Sequence, residues 1–383
     1  MSTVLILGGG TGGVVCANVL GKTLGKGHRV VLVDRKDSHV FMSSYPLLMI
    51  NKRKAGDITR KLENLAKKGV EFIHSEVKKI LTEQSAVQTD SGYIEYDYLI
   101  ISLGAEHHPE TVPGFAEGAY NIYNFDDVVR LGSHLKTIRG GKIVLFISSL
   151  PFICPSAPYE IVFLLDEYFR ERGIRDKVEL SLVTPEQAPY PLAGPRVGAS
   201  VRRMLQERRI GLTTNARVLT LDPSSKTLAL DQGINIQADL FLGIPSHWGP
   251  TVMRSTGLVE EGGWIEVDPY TLETKRKNVF AIGDATGLRL PVMNVLAPKA
   301  GVFAHYQAEV VSRNIALLIK GEKAHFRYTA KGLCIMYTGF GRARYSTVRY
   351  FTKPKPFITL LRPARWAYWA KLAFEKYWLT RFF

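Results

Sequence analysis

An α/β fold is what the sequence predicts, and three observations carry that expectation. A short apolar run, Thr3 to Leu7, stops at Gly8-Gly9-Gly10-Thr11-Gly12-Gly13, followed by a helix-like stretch, Val14 to Leu24, and a second apolar run, Arg29 to Val33, ending at Asp34. Two further buried strands, Tyr96 to Leu103 and Asn278 to Asp284, close on glycine and enclose a second α/β stretch. The chain then runs into a basic, aromatic-rich segment. Together these predict an α/β chain of two Rossmann-like dinucleotide-binding-type domains with an amphipathic C-terminal membrane-association region.

The N-terminal unit is strand, glycine turn, helix and strand, with an acid 21 residues beyond Gly13, which is the context a dinucleotide turn requires. The three glycines of the fingerprint serve separate ends. Gly8 makes the tight turn, Gly10 admits backbone to a pyrophosphate, and Gly13 lets helix pack on strand. The pyrophosphate would sit on the helix N-terminus, and Asp34 would take ribose hydroxyls. Val70–Ile80 and Ser85–Tyr93 alternate as sheet strands. In the enclosed stretch, strands are expected at Lys142–Ser148 and Val178–Thr184, with a helix at Tyr159–Glu171. A helix from Gly301 to Leu318 follows the late strand. The domains expected are therefore 1–105 with 265–320, an inserted 106–264, and a C-terminal region 321–383.

Composition narrows the class. With 383 residues, 46% hydrophobic and 22% charged, the chain must bury a large core and is no disordered tail. Three cysteines cannot staple a small fold, and no C-x-x-C occurs, so no metal site is expected. Residues 1–7 carry no signal-peptide pattern, and no uncharged apolar run reaches the roughly 18 residues of a spanning helix. From Gly321 to Phe383, thirteen Lys or Arg stand against Glu322 and Glu375, which places +11 of the net +15 there. Eight of the last eighteen residues are aromatic, with Trp366, Trp369, Leu372 and Ala373 at helical spacing and Lys371, Glu375 and Lys376 on an expected polar face. That pattern suits a helix lying in a membrane interface, peripheral and monotopic, on an anionic lipid surface. Docking on the chain's own core or on a second copy is left open. Aromatics packed beside leucines disfavour nucleic acid as the partner.

The motifs D-Y-L-I-I-S-L-G-A and N-V-F-A-I-G-D-A, with the N-terminal glycines, resemble the two-dinucleotide-domain flavoprotein reductases. That resemblance implies FAD in the first domain, with Asp284 at the ribityl and phosphate region. The cofactor-binding set read from these motifs is Gly8, Gly10, Gly12, Gly13, Asp34, Arg35, Val77, Gly104, Gly283, Asp284, Lys299 and Gly301. Lys299 is read as opening a helix, bringing positive charge to the flavin pyrimidine.

A pyridine-nucleotide-dependent relative needs a second glycine turn after the strand Lys142–Ser148, and here Ser149-Leu150-Pro151-Phe152-Ile153-Cys154-Pro155 follows instead. No glycine is present, and the prolines lack N–H donors. Direct NADH oxidation is disfavoured. Cys154 in C-P-S-A-P-Y-E, Cys334 in G-L-C-I-M-Y-T-G, P-K-A-G at 298–301 and K-L-A-F-E-K-Y at 371–377 are similar to the sulfide:quinone oxidoreductases and the related flavocytochrome c sulfide dehydrogenases.

In that family the two cysteines meet over one flavin face and carry sulfur. The resemblance implies that Cys154 and Cys334 form a redox disulfide opened by hydrosulfide, that a thiolate passes the electron pair to flavin, and that Glu160 accepts a proton. Which cysteine does which stays open, and a helix-dipole role for Glu160 is the alternative. Cys16 reads as a small buried hydrophobe. Some family members carry a further cysteine upstream of the position of Cys154, and 104–150 contains none, which leaves covalent flavin attachment open. The acceptor implied is a membrane quinone, with Pro46, Tyr337, Phe340, Phe374 and Tyr377 as candidate contacts. A type II NADH:quinone oxidoreductase or a flavocytochrome-type dehydrogenase is the competing reading.

Overall fold

A computed structural model describes residues 1–231 and 233–383. Its first sheet is all parallel, in the order Val279–Ala281, Tyr98–Ile101, Thr3–Leu7, Arg29–Asp34, Glu71–His74. Four of these strands are apolar runs because both faces are covered, whereas the edge strand Glu71–His74 is partly exposed. Ile6, Leu32 and Ile100 enter one core while Leu7, Val33 and Ile101 enter the other. The helix Thr11–Leu24 covers the first side with the helix Gly301–Ile319.

A second parallel sheet runs Ala119–Asn121, Leu240–Ile244, Gly141–Ile147, Val178–Val183, Ile210–Thr213. The helix Ala157–Glu171 follows its central strand. Between the sheets, Glu106–His108 pairs antiparallel with Ser246–Trp248, so the chain leaves and re-enters the first unit along one short ribbon. The C-terminal region is a three-stranded antiparallel sheet, Lys331–Gly339, Arg342–Arg349 and Phe357–Leu360, and a helix, Arg365–Arg381. Tyr337, Trp378 and Leu379 bury in the same core as Ile6 and Ile143.

Two strand expectations change. Val70–Ile80 splits: Glu71–His74 joins the parallel sheet, while Val77–Leu81 turns into an antiparallel one. Ser85–Tyr93 is a hairpin, Ala86–Thr89 against Gly92–Glu95, reversed at Asp90-Ser91. Alternation by twos continues through such corners and does not mark them.

The expected polar face of the C-terminal helix is also wrong in part. Lys371 and Glu375 point inward, whereas Trp366, Trp369 and Tyr377 are more than half exposed. The reason is that the body offers each inward charge a partner, Glu160 to Lys371 and Arg53 to Glu375. A buried charge is tolerated when it is paired and hydrogen-bonded. None of the helices among the described residues is long and apolar enough to cross a membrane.

Candidate active site

One cavity of about 1480 Å³ runs from the glycine turn to the C-terminal sheet, walled by both parallel sheets and by the C-terminal helix. Its first end is the glycine turn. Gly8 has φ +100°, and a Cβ there would lie 2.3 Å from the Ser102 carbonyl oxygen; a Cβ on Gly13 would lie 1.8 Å from the carbonyl oxygen of Gly8. Beside Gly10 the space is open. Turn, helix N-terminus and strand end thus form a cradle that backbone alone can line. Asp34 holds the turn, accepting from the Gly9 N–H at 2.5 Å and the Lys36 N–H at 2.7 Å.

Gly12, Arg35, Val77, Gly104, Gly283, Asp284, Lys299 and Gly301 line the same cavity; Gly13 lies behind it, against Gly8. Asp284 Oδ1 is buried without a hydrogen-bond partner among the described residues, and burial raises its carboxyl, against the pull of Lys299. An orphaned acceptor facing a glycine cradle fits the hydroxyl-bearing chain of a flavin dinucleotide.

Lys299 is placed differently from expectation. The helix begins at Gly301, and Lys299 Nζ donates to the carbonyl oxygens of Asp284 at 2.9 Å and Thr286 at 3.0 Å, over the Trp264 ring at 3.5 Å. Burial lowers it to about 8. Its main chain does the other work, as the Lys299 carbonyl accepts from the Cys154 N–H at 2.6 Å.

Cys154 sits where the second domain's nucleotide turn would be, and this loop folds into the first domain's cavity. Its φ of +53° is unusual for a side-chain-bearing residue and is held from both sides. The Cys154 carbonyl accepts from the Ala157 N–H at 2.8 Å, and the Tyr123 hydroxyl donates to the Ile153 carbonyl. Cys334 comes from the first strand of the C-terminal sheet. Both sulfurs reach one hydroxyl: Ser156 Oγ lies 3.3 Å from Cys154 Sγ and 3.5 Å from Cys334 Sγ. The sulfurs therefore cannot be farther apart than the sum of those contacts, and they are not bonded to each other here. Tyr190 Oη stands 3.8 Å from Cys334 Sγ. Burial pushes the Cys154 thiol up to about 11, with Cys334 adding to the rise, so at neutral pH it keeps its proton. Cys16 lies apart, buried beside the Ala308 carbonyl, and burial pushes it up to about 12.

Glu160 is buried beside this pair and accepts from the Tyr337 N–H at 2.8 Å and from Lys371 Nζ. It joins the cysteine-loop helix, the C-terminal sheet and the C-terminal helix. Of the five quinone candidates, Pro46, Tyr337 and Phe374 reach the cavity wall, and Phe340 and Tyr377 do not. Phe340 lies at the hairpin turn under Arg208, and Tyr377 faces outward.

Sequence reasoning missed Ser156, whose helix-start position suggests a cap, yet its hydroxyl makes no cap bond and turns to the sulfurs. It also missed Glu186, just after the second strand of the inserted domain, where a dinucleotide domain would present an acid to ribose. Glu186 is buried, accepting from the Tyr159 hydroxyl at 2.6 Å and from Thr184 at 3.3 Å, and burial raises it to about 7.

A carboxyl held above its ordinary value favours the protonated folded state. Its stabilisation is full below the unfolded value near 4.5 and is lost as pH rises through about 7. Urea unfolding at pH 5 and pH 8 should show less loss of stability in Glu186→Gln than in the parent, with a one-proton slope of at most about 1.4 kcal/mol per pH unit. Equal pH dependence in both would overturn this.

Comparison with known proteins agrees with the geometry. The model of the pyridine nucleotide-disulphide oxidoreductase family matches residues 2–308. The chain is 25% identical over 364 residues to the mitochondrial sulfide:quinone oxidoreductase of Mus musculus, covering 92% of this chain and 79% of the relative. It is 27% identical over 397 residues to the sulfide-quinone reductase of Aquifex aeolicus, covering 99% and 90%. The X-ray structure of the Aquifex aeolicus sulfide:quinone oxidoreductase matches with a TM-score of 0.91 at 25% identity, over 100% of this chain and 91% of that one. With a glycine cradle, an orphaned acceptor facing it and a family model spanning both parallel sheets, this chain belongs to the pyridine nucleotide-disulphide oxidoreductase family.

Proposed function

We propose that the chain is an FAD-dependent sulfide:quinone oxidoreductase acting through Cys154 and Cys334. The observation that carries this is two cysteines, 180 residues apart in sequence, meeting at Ser156 on the wall of a dinucleotide cavity, where the second domain has no nucleotide turn. Gly8, Gly10, Gly12 and Asp284 would hold FAD, which when bound supplies a two-electron acceptor between sulfur and quinone.

In the oxidised pair, hydrosulfide attacks one sulfur, forming an S–S bond as the cystine bond breaks; one cysteine keeps a persulfide and the other leaves as thiolate. The nucleophile is the hydrosulfide itself, so no thiol of the chain has to ionise for this step, and the raised Cys154 thiol makes Cys154 the poorer leaving group of the two sulfurs. Glu160, already bridged to Lys371, is positioned to stabilise a proton on the sulfur side. Phe374, half-exposed and part of the cavity wall beside Phe41, marks the opening for a quinone, with Pro46 and Tyr337 further in.

Membrane attachment is proposed through the outer face of the C-terminal helix. Trp366, Trp369, Ala373 and Tyr377 recur on one stripe, with Arg365, Lys376 and Arg381 flanking it. Aromatic bodies with basic edges suit the headgroup level of an anionic bilayer. In flotation with anionic vesicles, Trp369→Ser/Tyr377→Ser should bind about tenfold more weakly, the effect expected for removing buried apolar area. Unchanged flotation would reject this face.

The activity is tested by adding sulfide and, separately, NADH to the oxidised holoenzyme without oxygen. Sulfide should bleach the flavin absorbance, and NADH should not. Bleaching by NADH alone would reject the reading and favour a type II NADH dehydrogenase.

A further inference from the structure

The cavity extends past Cys334 into a lobe that the reaction above does not use. In the C-terminal sheet Cys334 lies opposite Ser346, and Met336 opposite Arg344. Side chains two apart share a face, so Cys334, Met336, Arg344 and Ser346 face the same side, with Arg344 the diagonal neighbour of Cys334, about 7–8 Å away. Ile358 and Leu360 continue that face from the third strand, and Val197 and Val201 close the lobe from the helix Pro195–Glu207.

Arg344 is out of place there. It is only 8% exposed, its Nη1 donates to Ser200 Oγ at 2.9 Å, and among the described residues it has no carboxylate partner and its Nε has no hydrogen-bond partner. Burial lowers it, and no neighbouring acid offsets this. A buried guanidinium without a counter-ion, at the end of an apolar lobe, calls for an anion with an apolar body.

We propose that Arg344 is an anion subsite for the free end of a sulfur chain carried on Cys334. The inference rests on the sulfide reading above. A polysulfide meets the chemistry of the lobe: its inner sulfurs are soft and uncharged, suited to Val197, Val201, Ile358 and Leu360, and its terminal sulfur is an anion. The guanidinium would fix that end and neutralise it as the chain lengthens.

The test uses the reduced holoenzyme and two alkylating reagents of nearly equal size, the anionic iodoacetate and the neutral iodoacetamide, with modification at Cys334 followed by peptide mass spectrometry. The ratio of the two rates should fall about tenfold in Arg344→Met, as expected for losing a nearby fixed charge in a poorly screened site. In the parent protein, thiocyanate should slow iodoacetate and leave iodoacetamide unaffected, a measurement that needs no variant. A ratio unchanged in the variant, or indifferent to thiocyanate, overturns the subsite.

Sulfur products of anaerobic turnover, trapped with a bimane, should shift to shorter chains in Arg344→Met. A changed alkylation ratio with unchanged chain lengths overturns the sulfur-chain assignment in favour of another small anion such as sulfite. Alkylation does not require sulfide oxidation, so failure of the subsite and failure of the sulfide reading are told apart.

Discussion

Replacing Cys334 by serine should lower the rate of flavin bleaching by sulfide by roughly 10³-fold or more, as removal of a covalent catalyst does, while dithionite bleaches as before and flavin content is retained. Cys154→Ser should fall equally far, because a disulfide needs both sulfurs, and the double variant should be no worse than either single one. The fold should tolerate both changes. Each thiol is only partly buried and meets a hydroxyl already, so an added hydroxyl finds Ser156 in reach. Cys16→Ser is the control: its sulfur is fully buried away from the cavity, and any effect should be on stability with sulfide bleaching unchanged. A Cys334→Ser protein that still bleaches at the parent rate would remove the sulfur pair from the mechanism.

The second large effect is expected at Trp378. It is fully buried, and its ring packs 4.9 Å from His39, 5.3 Å from Phe41 and 5.0 Å from Phe382. His39 in turn meets the carbonyl oxygen of Gly9 at 2.9 Å, inside the glycine turn. Trp378→Ala should cost roughly 3–5 kcal/mol of stability, the range for deleting a buried large aromatic, and should loosen the cradle, so that flavin washes out on gel filtration. Trp369→Ala, on the outer face of the same helix, should leave flavin content and stability nearly unchanged. If Trp378→Ala keeps its flavin and its urea midpoint, the helix is not part of the cofactor's housing.

These paired outcomes show where sequence reading ran out. Six of the parallel strands were legible because burial on both faces writes itself as unbroken apolar runs, and the glycine turn because its close contacts admit no side chain; Ala119–Asn121, Ile210–Thr213 and Leu240–Ile244 of the second sheet were not expected. The helix Gly301–Ile319 was legible to within a residue. The absent second turn was visible as a missing residue type. The orientation of the C-terminal helix was not, because Lys371 and Glu375 look solvent-facing until Glu160 and Arg53, more than two hundred positions away, are brought beneath them. Lys299 was misread for a related reason: its neighbours are main-chain carbonyls, which carry no sequence signal. Phe340 and Tyr377 were chosen for their ring chemistry, and only the turn of the hairpin and the rotation of the helix show that they face elsewhere. Arg344 was counted only as part of a basic end; its isolation depends on which strand lies opposite which.

The Asn18 side chain, in the first helix, donates to the carbonyl oxygen of Phe382, 364 positions later, and Trp378 braces His39 against the phosphate turn. The segment that shapes the nucleotide pocket is thus locked by one that the ribosome makes long afterwards. Tight cofactor loading must therefore wait until that later segment has emerged, and a polypeptide stalled before Trp378 would present an open, unsealed pocket to the cell's proteases.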